Sequence, residues 1–164
     1  MTTMSTPAGL VGLPVATLFG TDIHAVTMGQ ALDLVHETIV NRNSLHIGVV
    51  NAAKMVNMQS DPVLKQSVES SDLILADGNA VVKATKLLGC PSPLPERVTG
   101  IDLMFGMFER GKSHGYRVYC LGATEEISAK VAQKLEENYP GVVLAGRRNG
   151  YFDESEEEGL AKLL

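Results

Sequence analysis

Short apolar runs that end on polar residues alternate along the chain with segments of helical periodicity. Residues 73–75 are continuously apolar, which is typical of a strand with helices covering both faces. Polarity changes at Asp77, Gly78 and Asn79, and apolar residues then recur at helical spacing over 80–88. Asp77 is therefore predicted at the carboxyl end of a strand, on the turn into a helix, where open α/β sheets bind ligands.

Other apolar runs end in a similar way. They cover residues 45–50, 118–121 and 142–145, and the residues that follow them are Asn51, Gly122 and Gly146. Strands that alternate with helices imply right-handed crossovers and a mostly parallel sheet. The fold class is thus predicted as α/β, a Rossmann-like sheet with helices on both faces. The ends of these strands and Asp77 are expected to meet at one edge and to form a polar pocket.

Helical segments are predicted between and after the strands. They cover residues 28–41, 52–58, 62–68, 101–108, 125–139 and 154–164, with Thr27 and Asp61 as N-terminal caps. Two apolar runs over 15–26, split at Gly20, predict a hairpin or a bent strand. The proline-rich run 90–95 cannot be helical, because proline lacks an N–H and restricts the preceding residue. The glycines of 111–115 are predicted to break a helix.

Polar and charged residues cluster just after the proline-rich run. Arg97, Thr99 and Asp102 surround Gly100, immediately before a segment of helical periodicity. Such a cluster is unusual for a simple linker. We therefore expect these residues to contribute to the same site as Asp77.

Structural interpretations stand beside the functional ones. Asp-Gly-Asn is ordinary turn and N-cap chemistry, so Asp77 could cap the helix that follows it. Arg97 could form a structural ion pair with Glu96 or Asp102. The histidines are scattered over different predicted elements, so no metal site is predicted from them.

Composition and charge narrow the class of protein. The chain has 164 residues, of which 45% are hydrophobic and 20% charged, enough for one globular domain with a real core. A net charge of -5 without a basic stripe argues against nucleic-acid binding. Cys90 and Cys120 are predicted to be free thiols in a reducing compartment. Residues 1–12 are expected to be a flexible N-terminus, and 13–164 a single domain.

The same composition predicts a cytoplasmic protein. The N-terminus lacks the basic start and apolar core of a signal peptide. No window approaches the length of a membrane-spanning helix.

Four segments, in order, resemble one bacterial glycosyltransferase family. They read Asp-Leu-Ile-Leu-Ala-Asp-Gly at 72–78, Leu-Pro-Glu-Arg-Val-Thr-Gly-Ile-Asp-Leu at 94–103, Tyr-Cys-Leu-Gly-Ala at 119–123, and Gly-Tyr-Phe-Asp at 150–153. With this spacing the chain resembles the WecG/TagA/CpsF glycosyltransferases from about residue 13 onward. The resemblance implies inverting transfer of a sugar, typically N-acetylmannosamine, from a UDP-sugar to an undecaprenyl-diphosphate-linked sugar. Such reactions build surface polysaccharides and teichoic acids.

The resemblance also implies roles for individual residues. Asp77 matches the family's proposed catalytic aspartate, and Asn51 matches the asparagine of a Thr-x-Asn motif whose threonine position is Val49 here. Arg97 could supply positive charge to a diphosphate. The chain has no Asp-x-Asp pair, so no metal and no other cofactor is predicted. The expected substrate-binding residues are Asn51, Gly78, Asn79, Arg97, Thr99, Gly100, Asp102 and Gly122.

Partners follow from the resemblance as expectations. They are a UDP-sugar donor and a polyprenyl-diphosphate-linked acceptor, with peripheral association at the inner face of the cell membrane through that lipid. Family domains continue beyond the position of Leu164 with a further strand, a helix and a basic tail. We therefore expect transfer to need a C-terminal segment, a second subunit or a partner. Exposed apolar surface is expected to make the chain a homo-oligomer.

Two other function classes remain open. One is a non-catalytic nucleotide-binding or regulatory module derived from the same family. The other is a nicotinamide-dependent oxidoreductase, which would need a Gly-x-Gly-x-x-Gly turn after a strand. The nearest segment, Leu-Gly-Ala-Thr-Glu-Glu at 121–126, has one glycine, and two acids where phosphate would bind.

Overall fold

The computed structural model describes residues 8–157 and 159–160. Within that range the strands are β1 (Val15–Leu18), β2 (Thr21–His24), β3 (Ile47–Val50), β4 (Leu73–Ala76), β5 (Arg117–Leu121) and β6 (Val143–Arg148). The α-helices are α1 (Met28–Val40), α2 (Ala52–Asn57), α3 (Pro62–Glu69), α4 (Asn79–Leu87), α5 (Gly100–His114) and α6 (Glu125–Asn138). This order, with mostly parallel strands, confirms the predicted α/β class.

The chain forms two compact units, divided within α5 between Phe105 and Gly106. Most of the predicted flexible N-terminus lies outside the described residues; Ala8–Leu10 is a short 3-10 helix. The predicted helix over 154–164 begins as a 3-10 helix at Glu154–Glu156. Its residue 158 and residues 161–164 lie outside the described range.

The first unit begins with an antiparallel hairpin of β1 and β2, in which Val15 lies opposite His24. The turn places Phe19 and Gly20 at positive φ, 51° and 78°, where glycine is strained least. Of the two conformations predicted for this segment, the hairpin is the one observed.

The parallel pair β3 and β4 lies at the centre of the first unit. Its register runs from Ile47 opposite Leu73 to Val50 opposite Ala76. All four residues of β4 are buried, as expected for a strand covered on both faces. Leu73 and Leu75 belong to one core cluster, and Ile74 and Ala76 to another.

The predicted N-terminal caps of α1 and α3 are confirmed. Thr27 Oγ1 accepts from the N–H of Gln30 at 3.3 Å, and the Gln30 side chain accepts from the Thr27 N–H at 2.8 Å. This capping box satisfies two N–H groups that a helix start leaves open. Asp61 Oδ1 accepts from the Leu64 N–H at 2.9 Å, and Pro62 is the first residue of α3.

The second unit contains the parallel pair β5 and β6, joined by α6. Thr124 caps α6 by accepting from the Ile127 N–H. A register shift occurs between Val118 and Tyr119. The predicted strand end at residue 145 is wrong, because β6 continues to Arg148 and Gly146 pairs with Tyr119 inside the strand.

The predicted helix break over 111–115 is wrong at its first glycine. α5 passes through Gly111 and ends at His114, and Gly115 follows with φ of 64°. A Cβ on Gly111 would lie 2.7 Å from Val142 Cγ2. Close packing against Val142 therefore accounts for this glycine, and Gly115 is the one that ends the helix.

Candidate active site

Asn51 and Asp77 lie side by side at the carboxyl ends of β3 and β4. The Asp77 N–H donates to the Val50 carbonyl oxygen over 2.7 Å, which extends the parallel ladder by one residue beyond β4. Two polar side chains separated along the sequence are thus brought to one edge of the first unit. This is the edge where parallel α/β sheets bind ligands.

The Asp77 side chain is half-buried and does not cap α4. Among the described residues, no group donates a hydrogen bond to its carboxylate or forms an ion pair with it. Gly78 is the N-cap, with φ of 142°, and no described side chain caps the helix. The space where a Gly78 Cβ would lie is open. The site therefore holds a carboxylate without a hydrogen-bond partner among the described residues, beside N–H groups that a helix start leaves unsatisfied.

A backbone hydrogen bond brings the second predicted cluster to the first. The Val98 N–H donates to the carbonyl oxygen of Ala76, the last residue of β4, over 2.9 Å. Arg97 and Thr99 flank Val98, so the charged segment runs alongside the end of the strand that carries Asp77. The structure thus places the two clusters next to each other in the first unit, and their contribution to one site stays a prediction.

Arg97 pairs with Asp102 and not with Glu96. Its Nη2 lies 3.8 Å from Asp102 Oδ2, and the two side chains are 52% and 55% exposed. Glu96 Oε1 instead accepts from the Met28 N–H at 2.6 Å, at the start of α1. An ion pair this exposed contributes about 0–1 kcal/mol, so a ligand phosphate could displace Asp102 from Arg97 at little cost.

Thr99 and Gly100 shape the start of α5. Thr99 is buried, and its Oγ1 accepts from the Asp102 N–H at 3.0 Å. Gly100 lies against β3, since a Cβ there would be 3.7 Å from Val49 Cγ1. The observed contacts of both residues are structural, and their predicted ligand contacts stay predictions.

Asn51 caps α2, and a lysine that the sequence reasoning missed lies next to it. Asn51 Oδ1 accepts from the Lys54 N–H at 2.9 Å. The Lys54 ammonium donates to the Val49 carbonyl oxygen at 2.9 Å. The signal was a capping asparagine with a lysine three residues later, which places the ammonium over the end of the preceding strand. Asn79, also predicted to bind substrate, is the exposed first residue of α4.

Gly122 lies in the second unit, after β5. Its φ is 130°, and its N–H donates to the Arg148 carbonyl oxygen at 3.0 Å. Nearby, Arg147 Nη1 donates to Glu125 Oε1 at 2.6 Å, and this hydrogen bond lowers the pKa of Glu125. That Gly122 joins Asn51 and Asp77 in one pocket stays a prediction.

The second unit also carries a cleft of about 330 Å³ beyond β6. It is lined by Arg148, Glu156, Gly159 and Leu160, so no predicted site residue is among the described residues that line it. Arg148 forms an ion pair with Glu156 across it. Over the described ranges, no group of three or more His, Cys, Asp or Glu side chains could hold a metal ion.

The sequence profile of the glycosyl transferase WecG/TagA/CpsF family matches residues 16–164. The chain belongs to this family. The resemblance seen in the four sequence motifs is thus confirmed.

Proteins similar to this chain include two named N-acetylglucosaminyldiphosphoundecaprenol N-acetyl-beta-D-mannosaminyltransferase. The one from Bacillus spizizenii is 31% identical over 97 residues, which are 59% of this chain and 37% of that protein. The one from Staphylococcus aureus strain MRSA252 is 28% identical over 142 residues, 85% of this chain and 55% of that protein. The chain therefore spans about a third to a half of the length of these relatives.

Proposed function

We propose that this chain carries the catalytic aspartate of an inverting glycosyltransferase. In this proposal N-acetylmannosamine moves from a UDP-sugar to N-acetylglucosamine linked to undecaprenyl diphosphate, in the assembly of surface polysaccharide or teichoic acid. Family membership and the names of the relatives support the reaction class. The observation that carries the proposal is Asp77, a carboxylate without a described partner, held beside Asn51 at adjoining strand ends.

Asp77 acts as the general base in this reaction. Its carboxylate takes the proton from the acceptor hydroxyl, whose oxygen attacks the anomeric carbon of the donor. The new C–O bond forms on the face opposite the diphosphate. The bond to the diphosphate breaks, and UDP leaves with the electron pair. A single displacement of this kind inverts the anomeric configuration.

Donor and acceptor each carry a diphosphate, and its negative charge needs cationic side chains or N–H groups as partners. Arg97 supplies a planar guanidinium that can bind two phosphate oxygens at once. The first turn of α4 adds N–H groups that no described side chain caps, at the helix end that favours anions. In the proposal Arg97 binds the diphosphate of the acceptor lipid, and the N–H groups of α4, in place of a metal ion, stabilise the leaving group.

The acceptor is a membrane lipid, so we also propose that the protein works at the inner face of the cell membrane. No helix among the described residues is long and apolar enough to cross a bilayer. In the proposal the protein reaches the membrane through its lipid substrate.

Calorimetric titration with UDP, UDP-N-acetylmannosamine and NAD separates the three function classes. We expect both uridine ligands to bind and NAD not to bind. Binding of NAD alone would support an oxidoreductase. Uridine binding without sugar transfer, measured with protein in excess over acceptor, would support a non-catalytic module.

A further inference from the structure

The first two turns of α5 expose apolar side chains. Ile101 and Met104 are 65% and 43% exposed, and Phe105 is 46% exposed. Residues three and four apart on a helix share a face, so these three form one patch, here called the α5 stripe. Further along the helix, the exposed positions are Glu109, Lys112, Ser113 and His114. The exposed apolar side chains of α5 thus lie in the N-terminal part of the helix.

The α5 stripe is continuous with the candidate active site within the first unit. The Val98 N–H binds the last carbonyl of β4, and the Thr99 hydroxyl caps α5. Ile101 therefore lies only a few residues after Val98, which is hydrogen-bonded to the end of β4. Arg97 and Asp102 pair at the same helix start. A ligand with a charged group at Arg97 would meet the stripe immediately beside it.

We propose that the α5 stripe binds the first isoprene units of the polyprenyl chain of the acceptor. This inference rests on the proposed function and names how the same site recognises the lipid part of its substrate. An acceptor with its sugar at Asp77 and its diphosphate at Arg97 must direct its hydrocarbon chain over the adjoining surface. The stripe is the apolar part of that surface at the start of α5.

The size of the α5 stripe favours this occupant over a protein. From Ile101 to Phe105 the helix rises about 6 Å, which suits a short stretch of extended hydrocarbon. A stable protein interface needs roughly 800 Å² from each partner. Three partly exposed side chains supply far less than that area.

The test measures how much a hydrocarbon tail adds to acceptor affinity. Binding of N-acetylglucosamine diphosphate esters, one methyl and one farnesyl, is measured by calorimetry on the 164-residue chain. The variants are Ile101→Ser with Met104→Ser, and Leu87→Ser as the control. Leu87 is 88% exposed, and α4 places it about 12 Å along the helix axis from the Asp77 end. Because the substituted side chains are exposed, we expect all variants to fold, and circular dichroism checks that they do.

We expect the wild-type chain to bind the farnesyl ester more tightly than the methyl ester by about tenfold or more. The double substitution should remove most of this gain and leave the affinity for the methyl ester unchanged. Leu87→Ser should retain the gain. An undiminished gain in the double variant, or an equal loss in the control, would overturn the inference while the proposed function stands.

Vesicles distinguish the acceptor chain from the bilayer itself. Sedimentation with phosphatidylglycerol vesicles that lack acceptor should be the same for wild type and the double variant. Loss of vesicle binding together with an intact farnesyl gain would make the stripe a membrane contact and contradict the proposal. If the wild-type chain binds neither ester, the proposed acceptor is wrong and the inference fails with it.

Discussion

The Ile74 N–H donates a hydrogen bond to Nδ1 of His24 over 3.0 Å. This hydrogen bond joins the hairpin strand β2 to β4, the strand that Asp77 follows. It requires Nδ1 to be without a proton. Burial lowers the pKa of His24 below its ordinary value of 6.5, and the charge of Asp22 opposes the effect in part.

Stability should therefore fall as the pH is lowered past the ordinary pKa of histidine. Because the pKa of His24 is lower in the folded than in the unfolded chain, the unfolded chain binds more protons between the two values. The contribution of His24 to stability is fully present above pH 6.5 and is lost as the pH falls through the pKa that His24 has in the folded chain. His24→Gln should flatten the dependence of the free energy of unfolding on pH, measured in urea between about pH 5 and 7.5.

His46→Gln is the control for this prediction. His46 is exposed on the segment just before β3. In this variant the free energy of unfolding should still fall as the pH is lowered, because the hydrogen bond between Ile74 and His24 is intact. An unchanged slope in His24→Gln would show that the histidine does not link the hairpin to β4 in a pH-dependent way.

Gly111→Ala tests the packing explanation for the glycine inside α5. Alanine favours a helix over glycine by about 1 kcal/mol, so an open position would become more stable. Here the new Cβ would lie 2.7 Å from Val142 Cγ2 and 3.3 Å from Tyr116 Cδ2. We expect a net loss of about 1–3 kcal/mol in the free energy of unfolding.

Val142→Ala removes the atom that causes the closest contact. The double variant should therefore be more stable than the sum of the two single changes predicts, by about 0.5–3 kcal/mol in a double-mutant cycle. Strict additivity would mean that Gly111 is not constrained by Val142.

Asn51→Ser separates the capping role of Asn51 from its predicted contact with substrate. Serine also caps helices well, so stability should stay close to the wild type, whereas Asn51→Ala should lose about 1 kcal/mol. Both variants lack the amide N–H₂ and should bind UDP-sugar or acceptor more weakly. If Asn51→Ser binds both ligands normally in calorimetry, the asparagine is only a cap.

Arg97→Lys tests whether the guanidinium binds phosphate with its planar fork. The charge is kept, but the fork is lost, so affinity for UDP or the diphosphate acceptor should fall. The exposed pair with Asp102 is weak, so the free energy of unfolding should change by less than about 1 kcal/mol. Arg42→Lys, at an exposed turn, is the matched control and should change neither. Normal ligand affinity in Arg97→Lys would remove the bidentate role.

The part of the fold that hydrophobic patterning describes was predicted well. β4 was found because a short apolar run ends sharply at Asp-Gly-Asn, and the caps of α1 and α3 have residue types with a clear local signal. β6 was cut short because its last residues, Arg147 and Arg148, are polar. Their backbone pairing with β5 depends on main-chain groups that side-chain polarity does not reveal.

The candidate site shows the same division. The positions of Asn51 and Asp77 follow from strand ends, which sequence patterns locate. The hydrogen bond between Val98 and Ala76 joins backbone groups far apart in the chain, so the pattern of side chains does not predict it. Local sequence predicts a helix break at Gly111, because glycine disfavours helices. The close packing of Gly111 against Val142 is a tertiary contact, which the local sequence does not reveal.

The account depends most directly on Asp77 as the general base. Transfer from UDP-N-acetylmannosamine to a diphosphate-lipid-linked N-acetylglucosamine is measured for wild type, Asp77→Asn and Asp72→Asn, with protein in excess so that slow transfer is detected. Asp72 lies just before β4, and its carboxylate accepts from the His46 N–H, a role that asparagine can keep. We expect Asp77→Asn to bind UDP normally but to transfer about 10² to 10⁴ times more slowly, while Asp72→Asn transfers at the wild-type rate. Transfer by Asp77→Asn at the rate of the wild type would contradict the account.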